Sequence, residues 1–87
     1  MKYEIIAVRD RAADCFGTPN FVASLGGAIR AFSDEINRPD PNNSFNRHPD
    51  DFDLFHIGQY DDGKATFDLL DSPRQIAIGK DLYRSES

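Results

Sequence analysis

Cys15, His48 and His56 are the side chains best suited to covalent or metal chemistry in this sequence, since a thiolate and two imidazoles can supply a nucleophile with its base, or three ligands to zinc. Their spacing matches neither arrangement, so Cys15 reads as a small, partly buried residue. Carboxylates gather at Asp50, Asp51, Asp53, Asp61, Asp62, Asp68 and Asp71, a composition that suits a hard cation, yet calcium-loop spacing is absent. Asp61 and Asp62 read as turn residues, and Asp53 and Asp68 as solvent-facing strand positions. Nothing sets two carboxylates against each other with one of them buried, as a paired-carboxylate hydrolase needs. Gly26-Gly27 lacks the lysine and spacing of a phosphate-binding loop and reads as close packing in a first helical turn. The expectation is a non-enzyme with no cofactor and no metal.

A second constellation is basic and aromatic. Arg9 and Arg11 follow an apolar segment, Arg30 falls on the polar side of a helical pattern, and Phe16, Phe21, Phe45 and Tyr60 lie near loops. Phe45 is the ring expected to be most exposed, because Asn43, Ser44, Asn46 and Arg47 around it are all polar. Single-stranded nucleic acid is held by stacking on such rings with Arg or Lys along the backbone, a mode that needs no global positive charge. The chain has none, with ten Lys and Arg against fifteen Asp and Glu and a net charge of −5. Residues 1–38 carry five cations and five anions, and residues 39–72 two cations and eight anions. Any phosphate contact therefore belongs to the first third or the tail, where Arg74 and Lys80 lie, with Arg47 the exception in the acidic middle.

The elements that must position these residues follow from hydrophobic periodicity. Residues 2–9 read as a strand, and residues 11–23, with Gly17 and Pro19, as a loop or an irregular extended segment that drops Phe16, Phe21 and Val22 onto the body. Leu25, Ala28, Ile29, Phe32 and Ile36 form one helical stripe, with Ser24 as N-cap and Asn37-Arg38-Pro39 as the stop. Arg30, Ser33, Asp34 and Asn37 lie opposite the stripe, and Arg30 can pair with Asp34 one turn on. Residues 52–60 and 64–70 flank Asp61-Asp62-Gly63, a hairpin signal, and Ala65, Phe67 and Leu69 share one side of the second arm. Asp71-Ser72-Pro73 reads as a turn, and residues 74–80 as a fourth strand, with a short helical turn as the alternative. In His48-Pro49-Asp50-Asp51-Phe52 the proline and Asp51, through bonds to nearby N–H groups, read as a conformational lock. The expected fold is α+β, one domain over residues 1–87 with an ordered core over about 2–83. It has an antiparallel sheet of three to four strands and one amphipathic helix across one face, in the order β-α-β-β-(β). So small a domain gains by burying an edge or a helix face in an oligomer. With a single Cys, no apolar run of membrane-spanning length and no signal-peptide core, the sequence reads as soluble and cytoplasmic.

The blocks KYEIIAVRDRAADCFGTPNFV, GGAIRAFSDEIN, RHPDDFDLFHIGQYDD and PRQIAIGKDL, covering nearly the entire chain, resemble the small non-structural protein of single-stranded DNA microviruses of the gokushovirus type. The resemblance implies a protein of the infected bacterial cytoplasm, absent from the coat, acting in viral DNA replication or in the switch to single-strand synthesis. The family supplies no catalytic residues. The expected reading is a homo-oligomer that binds single-stranded DNA through Arg9, Arg11, Phe16, Arg30, Phe45, Arg47, Arg74 and Lys80. The alternative is an adaptor whose acidic segment engages the replication initiator, a host replication protein or the procapsid.

Overall fold

A computed structural model describes residues 1–84. Strand β1 (Lys2–Asp10) lies between β4 (Phe52–Asp61) on one side and two short strands, β2 (Cys15–Phe16) and β3 (Asn20–Val22), on the other. Strand β5 (Thr66–Ile78) pairs with β4 and forms the far edge, and every pairing is antiparallel. Successive strand residues point to opposite faces, so Glu4, Ile6 and Val8 share one face of β1, and Tyr3, Ile5, Ala7 and Arg9 the other. Strand β4 holds register with this alternation except for one extra residue, Ile57, where the pairing passes from Ile5↔Gly58 to Ile6↔His56.

Helix α1 (Leu25–Ile36) packs on the Ile6 face. Ala28, Phe32 and Ile36 meet Ile6, Phe52 and Leu54 in the buried core, with Leu25 and Ile29 partly buried beside them. Ser24 caps its start by accepting from the Gly27 N–H at 3.1 Å. Its last carbonyls are met by three asparagine amides, beside the Asn37 and Arg38 backbone N–H groups that donate to Ser33 O and Glu35 O. Asn37 Nδ2 donates to Ser33 O, Asn43 Nδ2 to Glu35 O, and Asn46 Nδ2 to Ile36 O, at 2.8–3.0 Å. Asn43 also caps α2 (Ser44–Arg47) by accepting from Phe45 N, while Asn37 reaches Leu82 O and accepts from Arg84 N, tying the tail to α1. A 3-10 turn (Pro49–Asp51) leads into β4, and α3 (Gly79–Leu82) closes the same end. Gly79 is required there: a Cβ would lie 2.4 Å from Phe52 O and 2.5 Å from Pro49 O.

The α+β class, the first strand, the helix with its Ser24 cap and the β4–β5 hairpin stand as the sequence reading has them. Several local expectations differ. Within residues 11–23 the extended alternative holds for two short stretches, β2 and β3, which pair with β1 and cover its free edge. The helical layer also gains α2 and α3, each only four residues long. The hairpin turn runs past Gly63, and Ala65, not glycine, takes the left-handed conformation at φ 54°. Asp71-Ser72-Pro73 does not reverse the chain. With Leu70 it stands opposite the single residue Ile57, as a wide bulge inside β5 between the pairs Gly58↔Leu69 and His56↔Arg74. Residues 74–78 do continue as strand, and the helical alternative applies only to Gly79–Leu82. Asp51 contributes to the lock through its backbone: its carbonyl accepts from Arg11 N at 2.8 Å.

Candidate functional site

Helices α1, α2 and α3 all pack on the Ile6 and Leu54 side, which leaves the opposite face of the sheet without a helical layer. That open face carries two groups of rings. Near the β1–β2 turn, Phe16 meets Phe55 edge-on, with centroids 5.1 Å apart, and the Arg9 guanidinium lies over the Phe16 ring at 5.4 Å. Further along the sheet, Phe21, Tyr60 and Phe67 pack together with centroids 4.9–6.4 Å apart. The strand register explains the second group: Tyr60 stands opposite Phe67, and Phe21 stands opposite Ile5 one row away. Phe16 aligns with Arg9 and Phe21 with Ile5 on β1, so the two groups lie about 13 Å apart at 3.3 Å per residue.

Apolar rings of this size are normally buried, yet Phe16 is 39% exposed, Phe21 52%, Phe67 60% and the neighbouring Leu69 59%. At about 200 Å² per ring, the three Phe leave roughly 300 Å² of aromatic surface in water, on the scale of a functional patch in a monomer. The cations of this face are already engaged. Arg9 pairs with Asp14, and Arg11 donates from Nε and Nη2 to Asp53 at 2.8 and 3.3 Å, a bond that raises the Arg11 guanidinium above its ordinary value. The face is therefore aromatic and close to neutral.

The expected DNA-binding residues are divided by the fold. Arg9, Arg11 and Phe16 come together at one end of the open face. Arg30 lies on the exposed side of α1, across the molecule, with no ion pair to Asp34. Arg47 and Lys80 sit exposed where α2, the 3-10 turn and α3 meet, and Arg74 stands across from His56 on the edge strand. Phe45 is not exposed as expected: it packs 4.5 Å from Phe52 and 5.8 Å from Phe32, centroid to centroid. Its polar neighbours face solvent while one turn of α2 directs the ring inward. Asp53 is likewise buried, at 4% exposure, because Arg11 folds back over it, and Cys15 is exposed on the two-residue edge strand β2. Cys15, His48 and His56 are not brought together. His56 instead lies beneath the sheet, its Nε2 donating to Glu4 Oε1 at 2.9 Å and Gly58 O at 3.0 Å.

Phe55 and Phe67 are the members of the face that the sequence reading leaves out. The alternation of Phe67 and Leu69 against Thr66 and Asp68 already puts them on one side, but alternation alone does not say which side lacks a cover.

Fold and face together define a class: a small α+β domain in which an antiparallel sheet is covered by helices on one side and presents aromatic rings on the other. Residues 3–82 match the family model described as Phage ORF5 protein, and the chain belongs to that family. It is thus a bacteriophage protein. No curated protein and no solved structure matches it. Among the described residues, no helix is long and apolar enough to cross a membrane.

Proposed function

We propose that this phage protein binds single-stranded DNA on the open face of its sheet, as a non-enzymatic accessory to viral DNA replication or to the switch to single-strand synthesis in the infected bacterial cytoplasm. The observation that carries the reading is the pair of partly exposed ring groups on the face that no helix covers. Stacking of an unpaired base on an aromatic ring contributes about 1–3 kcal/mol and tolerates any base, whereas a duplex keeps its bases inside. Two cations per protomer are few for a backbone-tracking groove. A homo-oligomer compensates, because several weak faces on one strand raise the affinity through effective concentration.

Fluorescence anisotropy of labelled single-stranded and duplex DNA at two salt concentrations tests this. The expected result is tighter binding of the single strand, with a shallow log–log salt slope of about −0.7 per protomer from one phosphate contact, at Arg9. Light scattering on the same samples should return a mass above that of a 9.8 kDa monomer. Flat anisotropy at low salt and high protein concentration refutes the reading. It turns attention to the exposed carboxylates Asp62, Asp68 and Asp71 of the β4–β5 hairpin as a docking surface for a basic replication protein.

A further inference from the structure

Arg9 and Arg11 are the two guanidinium groups of the open face, and their carboxylate partners differ in a way that decides which of them can change partner. Asp53 is buried, so releasing Arg11 would strand an unpaired charge away from water, a costly state. Asp14 is 83% exposed and sits in the β1–β2 turn, so it returns to water freely when its partner leaves. Its backbone is left-handed at φ 55°, a conformation that favours glycine and that Asp and Asn tolerate better than other side chains. Here the turn carries a carboxylate, and the Asx turn of Asp10, which accepts from Ala12 N and Ala13 N at 3.0 and 3.2 Å, holds the preceding residues. The result is an anion set on Arg9 while the Arg9 guanidinium lies over the Phe16 ring.

We propose that Asp14 is a built-in competitor for a DNA phosphate: in the free protein its carboxylate occupies the anion seat on Arg9, and a single strand displaces it when a base stacks on Phe16. This inference rests on the single-stranded DNA reading and names the exchangeable contact within it. An exposed ion pair is weak enough for a phosphodiester to replace, and its loss sets the size of the effect.

The test is an anisotropy titration of fluorescein-labelled oligodeoxythymidine of about 16 nucleotides at low salt, with four single variants and the Arg9→Ala, Asp14→Asn double variant. Asp14→Asn keeps the turn geometry and removes the charge, and Asp14→Gly suits the left-handed backbone if the first variant folds poorly. Asp71→Asn changes the net charge equally on the β5 bulge, and Arg9→Ala removes the seat. Asp14→Asn is expected to tighten binding about three- to fivefold, Asp71→Asn by much less, and Asp14→Asn to have no effect in the Arg9→Ala background. An equal gain from Asp14→Asn and Asp71→Asn would show a general charge effect and overturn the proposal, as would a gain that survives without Arg9. Wild-type binding with no gain from either Asp14 variant defeats this inference alone. Absence of binding by the wild type and every variant defeats the DNA reading and the inference with it.

Discussion

Phe67→Ala removes the most exposed ring of the open face and separates recognition from stability. The residue is 60% exposed, so roughly 80 Å² of a ring of about 200 Å² is lost from packing, worth about 2 kcal/mol at 25 cal/mol/Å². A domain of 87 residues holds roughly 4–13 kcal/mol of stability, so the variant should remain folded. Loss of one stacked base should weaken single-stranded DNA binding by about 1–3 kcal/mol, a rise in Kd of about 5- to 150-fold. Phe67→Leu is the sharper probe, because it keeps apolar contact with Tyr60 and Phe21 while removing the π-face. Anisotropy at fixed salt, paired with thermal melts by circular dichroism, measures both quantities. Arg30→Ala, on the far side of α1, should leave both affinity and salt slope unchanged. Binding of Phe67→Ala and Phe67→Leu within twofold of wild type would refute the placement of DNA on this face. A salt slope reduced by about 0.7 in Arg30→Ala would move the interface to the helix.

Gly79→Ala should destabilise the fold by about 3 kcal/mol and lower Tm by more than about 10 °C, since its Cβ meets two backbone oxygens at 2.4 and 2.5 Å and α3 must lift away. Asn43→Ala should cost about 2–3 kcal/mol in denaturant unfolding, because Arg38 O loses the Asn43 amide, Glu35 O is left with backbone donors alone, and α2 loses its cap; Asn43→Asp should recover about 1 kcal/mol by restoring the cap alone. The Asn42 N–H, with Arg38 as a second partner, holds the exposed Asp40 carboxyl below its ordinary 3.8. Because the folded value is depressed, its contribution to loop stability is present above pH 3.8 and fades as pH falls through the folded value, which an NMR titration of the Asp40 side chain and the Asn42 amide should follow.

Local chemistry wrote much of this molecule into its sequence. The Leu25–Ile36 stripe, Ser24 before it and Pro39 after it define α1 because capping and helical period act over a few residues. The Phe67 and Leu69 alternation and the acidic turn define the β4–β5 hairpin for the same reason. Tertiary structure decided what no window of neighbours contains. The carboxylate of Asp53 looks solvent-facing until Arg11, 42 residues away, closes over it. Phe45 looks exposed among polar neighbours until α2 turns its ring between Phe32 and Phe52. The open face itself arises because every helix collects on the Ile6 side: alternation divides a strand into two faces, but only the path of the other elements determines which face is covered and which keeps its rings in water.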